Sequence, residues 1–259
     1  MTVRVTELTH PTQHHALAGL FARVWAADVM HPSTLTAVAL AGGYVAGAYE
    51  GENLVGGSVG FLGVGHLHSD LTGVDPTAQS TGIGYELKQH QRAWCARRGI
   101  PQVRWTFDPL VARNAYFNLH RLGARAVAYL PDVYGALIDG INAGDPSDRL
   151  YIHWDVQNPT PSNVDADALR RDGAVVVLDR VDGRPVPGPV GLDTEQGARP
   201  DGVRLIAVPA DIEGLRRRDP ALAMRWRQAV GEALPAALDA GYRIAGISRD
   251  GFYALRTSL

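Results

Sequence analysis

Val74-Asp75-Pro76-Thr77-Ala78-Gln79-Ser80-Thr81-Gly82-Ile83-Gly84 is the stretch on which the reading of the fold turns. Before it, residues 65–74 alternate like a strand. After it, Ile83, Leu87 and Trp94 fall on one face of a helix. Arg97 and Arg98 suit the C-terminal end of that helix dipole, and Gly99 with Pro101 beyond it marks the stop. A strand, a Gln-x-x-Gly-x-Gly loop and a helix make an anion site: glycine lets the backbone approach closely, and the free N–H groups at the helix start point outward. Two better-known phosphate loops are excluded. There is no Gly-x4-Gly-Lys-Ser/Thr, and Gly82-Ile83-Gly84 lacks the third glycine of a dinucleotide fingerprint. Taken alone, the same two glycines equally suit a plain tight turn.

Working outward, residues 3–8 alternate as a strand, and 12–26 place Leu17, Leu20, Phe21 and Val24 at helical spacing. A second helix starts with Ser33 as N-cap and ends near Gly42-Gly43. Residues 44–49 and 53–62 read as a hairpin around Glu50-Gly51-Glu52. Beyond the loop come a strand through Val103, Trp105 and Phe107, a helix over 110–122 stopped by Gly123, and strands at 126–129 and 150–156. From Asn158 the character changes. Five Gly and four Pro in the 20 residues 183–202 exclude regular structure there. Strands at 174–178 and 203–208 flank that stretch. A helix follows over 219–240, which Pro235 is expected to kink or split, and then a hairpin at 242–247 and 251–255. The expected organisation is a mixed α/β (α+β) domain over 1–157 and an α/β C-terminal extension over 158–259.

With 259 residues, 46% hydrophobic and 20% charged, the chain has the composition of an ordinary globular protein. Its net charge of −2 gives no bulk attraction to nucleic acid. No stretch approaches the roughly 20 apolar residues of a membrane span, and Met1-Thr2-Val3-Arg4-Val5 lacks the apolar run of a signal peptide, so none is expected. Cys95 is the only cysteine, so no intramolecular disulfide forms, and a reducing, cytoplasmic setting is expected. Its place in mid-helix beside Trp94 reads as packing. Lys88 is the only lysine, which reads as coding bias. His10, His14 and His15, at a helix start, read as solvent-facing and not as ligands.

The stretch from Val74 to Gly84 closely resembles the acyl-CoA loop of GNAT N-acyltransferases, whose pattern is Val, a few residues, then Arg/Gln-x-x-Gly-x-Gly/Ala. The preceding order of elements (strand, two helices, three strands) is similar too, as are the strand at 103–108 and the helix ending Leu122-Gly123-Ala124. The resemblance covers about residues 1–157. It implies a mostly antiparallel, splayed sheet flanked by helices and acyl-CoA as co-substrate without a metal. It further implies backbone N–H groups of Gln79, Ser80, Thr81, Gly82, Ile83 and Gly84 on the pyrophosphate, and Val74 bonded to the pantetheine arm. A narrower resemblance rests on Phe107-Asp108-Pro109-Leu110, Arg113-Asn114-Ala115-Tyr116-Phe117-Asn118-Leu119-His120, Tyr129-Leu130-Pro131, Pro146-Ser147-Asp148-Arg149, Trp226-Arg227 and the terminal hairpin. These look like a longer GNAT subfamily, some members of which are associated with N-succinylation of amino acids. The implied activity is transfer of an acetyl or succinyl group from CoA to the amino group of a small molecule, an amino acid in particular.

In GNAT enzymes the strand before the loop often supplies a base. Here alternation places Leu67, Ser69 and Leu71 on one face and His66, His68, Asp70 and Thr72 on the other. Counting back from Gln79, His68 falls where some relatives carry a catalytic glutamate, so it is expected as general base. Asp70 then orients His68, accepts a proton itself or binds the substrate's ammonium. The alternative is a hydrogen-bonded strand surface without a catalytic role. A thiolate-protonating tyrosine usually sits four residues before the glycine that ends the next helix, and Leu119 stands there. Tyr116, about a turn earlier, or water is left for that part. Asn114 and Asn118 are expected at the pantetheine, or as a helix cap and a solvated position. Arg104 and Arg113 suit a substrate or acyl carboxylate. With no well-placed nucleophile, direct attack in a ternary complex is expected.

Two other classes compete. One is a GNAT-like fold that binds acyl-CoA without catalysis. The other is a two-His, one-carboxylate metal site from His68 and Asp70 with His66 or His120, though the loop directly after it explains the region better. The extension has three candidate roles: covering the acceptor site, completing the sheet, or forming a homodimer interface.

Overall fold

A computed structural model of the chain describes residues 3–78, 81–135, 145–188 and 202–257. The chain divides into two units, one holding Met1–Trp105 with Trp154–Asn158 and the other the remaining described residues. No described helix is long and apolar enough to cross a membrane.

The first unit begins with β1 (Arg4–Glu7), α1 (Pro11–Trp25) and α2 (Pro32–Leu40), followed by the antiparallel run β2 (Tyr44–Glu50), β3 (Asn53–Gly63) and β4 (His66–Val74). Both early helices start the same way: a histidine caps and proline takes the first helical position, where no N–H is needed. For α2 the cap is His31, whose ring accepts from Ser33 N, so the expected cap Ser33 is the second residue of the helix. His14, expected in solvent, is buried on the apolar stripe of α1 with Leu17, Leu20 and Phe21. It is tolerated there because both ring nitrogens find partners, Thr36 Oγ1 at 2.9 Å and Leu8 O at 3.1 Å. That stripe meets Leu8, Leu35, Val38, Val45 and Val59 in one core cluster. On the other face of the sheet, α3 (Ile83–Arg97) buries Ile83 and Leu87 against Ala48 and Ala78. Both helices close on β3 at adjacent glycines: a Cβ on Gly57 would collide with Leu17, and one on Gly56 would stand 2.9 Å from Ile83 Cγ2.

The last strand shared with this unit, β5 (Gln102–Phe107), runs parallel to β4. The pairing is short. It covers His66↔Gln102, Leu67↔Val103 and His68↔Arg104 and stops, although β4 continues to Val74. In the same region β4 carries a bulge against β3, because Gly60 pairs with Ser69 while Val59 pairs with Leu71, leaving Asp70 as the extra residue.

The second unit contains α4 (Ala112–Tyr116), which passes directly into a π-helical turn at Phe117–Arg121, then β6 (Arg125–Leu130) and β7 (Arg149–Asp155) except its last two residues, which belong to the first unit. The single α-helix expected over 110–122 is therefore two kinds of helix in succession. The sheet order is β1-β2-β3-β4-β5-β7-β6. A second sheet is built from β8 (Val175–Val181), β9 (Arg184–Pro187), β10 (Arg204–Ala207), β11 (Arg243–Ile247) and β12 (Phe252–Arg256), in the order β11-β12-β10-β8-β9. The strand β9 lies in the Gly/Pro-rich stretch from which regular structure was excluded. It is an edge strand, where proline's missing N–H removes no ladder bond. Two short helices, α5 (Ala166–Arg171) and α6 (Ile212–Arg218), start at the caps Asp165 and Asp211. They lead to α7 (Pro220–Asp239), which runs through Pro235 without being split. Its buried stripe includes Trp226 and Arg227. Arg227 and Arg216 both bind Asp108, at 2.7 Å and 2.6 Å, and Arg216 also binds Asp145 at 2.9 Å, all nearly enclosed.

Candidate active site

The parallel register sets His68 beside Arg104 and His66 beside Gln102, so these four side chains share one face of the first unit. Arg104 is steadied by Gln102, whose Oε1 accepts from its Nε at 3.0 Å and from its Nη2 at 2.7 Å. His68 is half-buried. Burial pushes its imidazole below the ordinary value; Asp70 pulls it up, and His66 and Lys88 add to the downward push. The imidazole is thus unprotonated at neutral pH and able to take a proton. Asp70 is exposed, yet the protein packed around it still raises its carboxyl by desolvation, and His68 pulls it back.

The bulge changes the face assignment made from alternation. Ser69 and Thr72 now point the same way, towards α3, and Leu71 packs into the cluster built on α1. Thr72 is therefore not part of the His66–His68 face. An inserted residue shifts every side chain after it to the opposite side.

After β4, Asp75 Oδ1 accepts from Thr77 N at 3.1 Å and Thr77 Oγ1 at 2.7 Å, fixing a tight 3-10 turn at Pro76–Ala78. Gln79 and Ser80 lie outside the described residues. Thr81 Oγ1 donates to Ala78 O at 2.7 Å. Gly82 is the N-cap of α3 with φ 91°, a left-handed conformation that favours glycine, and it has no side chain with which to cap the helix. The N–H groups of Ile83 and Gly84 thus open the helix dipole without a capping side chain, and a Cβ on Gly82 would meet only open space. Glu86 is the acidic residue of this first turn and is exposed. From Ser69 to Val74 the β4 backbone has only β3 beside it among the described residues.

One residue missed in the sequence stands out. Lys88 is almost completely buried; its Nζ donates to Ser69 Oγ at 2.8 Å and Gln91 Oε1 at 3.3 Å and lies 4.1 Å from the centre of the Trp105 ring. Burial pushes its amine down to about 7. The signal was its position: Lys88 is one residue from Leu87 and a turn before Gln91, inside the buried stripe of α3. Cys95 is buried as expected, and burial pushes its thiol up to about 12, far from a usable nucleophile.

In the second unit, α4 and the π-helical turn carry the remaining expected residues. Asn114 is exposed, while Asn118 is buried rather than solvated. The Tyr116 ring stacks on His120 with centres 4.4 Å apart, and Leu119 is buried. Arg113 is engaged by Glu213 at 2.8 Å. The expected residues thus fall into two sets: His68, Asp70, Val74, Thr81, Gly82, Ile83, Gly84 and Arg104 in the first unit, and Arg113, Asn114, Tyr116 and Asn118 in the second. Among the described residues no group of three or more His, Cys, Asp or Glu is placed to hold a metal ion.

No family model matches the chain, and no curated protein matches it in sequence. In fold it is similar to the ribosomal-protein-S18-alanine N-acetyltransferase from Escherichia coli, with a TM-score of 0.52 and 13% identity over 61% of this chain and 96% of that one. Arabidopsis thaliana Naa50 in complex with the bisubstrate analogue CoA-Ac-MVNAL gives a TM-score of 0.49 and 18% identity over 59% of this chain and 98% of that one. The paia N-acetyltransferase from Thermoplasma acidophilum in complex with coenzyme A gives 0.46 and 12% over 60% and 99%.

Proposed function

The fold is that of the GNAT N-acetyltransferases, and from it we propose that this protein transfers an acyl group from CoA to the amino group of a small molecule. The observation that carries the reading is the uncapped start of α3 at the left-handed Gly82, directly after a strand that bears His68 and Asp70. A pyrophosphate on the N–H groups of residues 79–84 is favoured by the helix dipole and by close backbone approach. The β4 edge from Ser69 to Val74, which has no strand but β3 beside it among the described residues, suits the amides of a pantetheine arm, which bind as an added strand does. In this reading residues 1–157 are the acyltransferase domain and 158–259 its extension.

The chemistry follows from the side chains. His68, unprotonated at neutral pH, takes a proton from the acceptor's ammonium, and Asp70 orients the imidazole or holds that ammonium. The free amine then attacks the thioester carbon, the tetrahedral adduct collapses, and the C–S bond breaks. The departing thiolate takes a proton from water, and the attacking nitrogen releases its second proton to solvent as the amide forms. Attack is direct, and the high thiol pKa of buried Cys95 favours that route over a cysteinyl acyl-enzyme. Arg104, steadied by Gln102 beside His68, suits a carboxylate on the acyl group or the acceptor, as in succinyl-CoA or an amino acid.

A second reading, acyl-CoA binding without turnover, draws on Leu119, which is buried where a proton-donating tyrosine is usual, and on Tyr116, whose ring is stacked on His120. Thiol release from acetyl-CoA and succinyl-CoA against a panel of D- and L-amino acids and simple amines separates the two. Acceptor-dependent release supports the transferase. CoA thioesters that raise the melting temperature without any release support the binder.

A further inference from the structure

Nothing in acyl transfer as described uses Lys88, yet its amine is buried with no carboxylate partner among the described residues, which is unfavourable by on the order of several kcal/mol, and a methionine would fill similar space. Its surroundings give a reason for it to be there. His68↔Arg104 is the last pair between β4 and β5. Ser69 and Trp105 are the next residues on the two strands, and Lys88 Nζ touches both, the Ser69 hydroxyl at 2.8 Å and the Trp105 ring at 4.1 Å from its centre. The contact continues past the bulge. Lys88 Nζ donates to Gln91 Oε1 at 3.3 Å, Gln91 Nε2 donates to Ser58 Oγ at 3.3 Å, and Ser58 Oγ shares a hydrogen bond with Thr72 Oγ1 at 2.8 Å. The network therefore grips β4 on both sides of Asp70, at Ser69 and at Thr72.

We propose that Lys88 is a positioning residue, a wedge at the point where β4 and β5 part, which fixes the Asp70 bulge and so aims His68, Asp70 and Arg104 on the opposite face. A ring and two oxygen acceptors accommodate the amine in either charge state, since both the ammonium and the neutral amine donate. The titratable groups coupled to it are Cys95, two turns along α3, and His68, across β4. The catalytic consequence rests on His68 acting as base; the structural one does not.

Lys88→Met removes the donors and the charge but keeps the length. In that variant the His68 imidazole titration, followed by NMR and assigned with His68→Gln, should move up in pH, since a neighbouring positive charge is gone, and the amide shifts of residues 69–72 should move. Turnover should fall about tenfold or more through misplacement, with acetyl-CoA affinity within about twofold and the acid limb of the pH–rate profile following His68. If Lys88→Met does not fold, Ser69→Ala, which removes one grip alone, should move the amides of Asp70 to Thr72. An unchanged His68 titration with unmoved β4 amides in the variant that folds overturns the proposal. A moved His68 titration that the pH–rate profile ignores upholds the wedge and removes His68 from the base role.

Discussion

Lys88→Met should make the protein more stable at neutral pH and take away a pH dependence that the native chain possesses. Burial lowers the Lys88 amine from its ordinary 10.5 to about 7. Between those values the unfolded chain holds a proton that the native chain has released, so stability rises with pH across that window. Setting both values into the linkage relation, the proton-linked penalty is about 4 kcal/mol at pH 7 and about 2 kcal/mol at pH 9. Unfolding free energy should thus climb by about 2 kcal/mol over those two units. Methionine abolishes the climb. Its gain at pH 7 is smaller than the full penalty, because Ser69 and Gln91 lose their donor, a loss worth about 1–3 kcal/mol. Urea denaturation followed by tryptophan fluorescence at pH 7, 8 and 9 measures both chains. Cys95, the buried tyrosines Tyr44 and Tyr253, and the half-buried Tyr129 act in the opposite sense, because their native values are raised, but only above about pH 9. Equal slopes in the two proteins would refute the reasoning, whichever is the more stable.

Three further outcomes are expected. Gly82→Asp sets a Cβ at φ 91° and a negative charge at the proposed pyrophosphate site, so acetyl-CoA affinity by calorimetry should fall more than about a hundredfold with the fold retained. His68→Ala should lower kcat by about 10² to 10⁴ while acetyl-CoA affinity stays within about twofold, and equal losses in both would remove His68 from the base role. Asp108→Asn leaves Arg216 and Arg227 short of their shared carboxylate and should lose about 3–5 kcal/mol in urea denaturation. Burial pushes the Asp108 carboxyl up, but Arg227 and Arg216 outweigh it and hold it below the ordinary aspartate value. The stability it contributes is therefore complete above that ordinary value and is lost as pH falls through the native one, which an acid titration of circular dichroism would follow.

Periodicity and punctuation made much of the first unit legible. The stripe Ile83, Leu87, Trp94 with Gly99 beyond it gave α3, and Glu50-Gly51-Glu52 gave the β2–β3 turn. Pairing irregularities were not legible. Alternation cannot reveal an inserted residue, so Thr72 was placed with His68 until the Asp70 bulge turned it to Ser69's side. Polar residues inside apolar stripes were misread for a related reason. His14 was read as solvent-facing and Lys88 only as coding bias, but each is enclosed with hydrogen-bond partners outside its own helix, Thr36 and Leu8 for one and Ser69 for the other. In the second unit β9 was hidden because Gly and Pro signal loops, whereas an edge strand tolerates them. The helices α5 and α6 are too short for periodicity to register, although their aspartate caps were there to be read. Arg113 showed as a free cation in the sequence because Glu213, its partner, lies 100 positions away.

The enclosure of Lys88 also bears on how this protein fares among reactive thioesters. Acyl-CoA slowly marks exposed lysine side chains on the proteins it meets, yet the one ε-amine in these 259 residues is shut inside the first unit. A folded molecule offers such reagents no lysine to tag. An acyl mark found on Lys88 would then be a record that the molecule had once come open, so mass spectrometry of a single peptide after incubation with an amine-reactive label reads the history of opening directly.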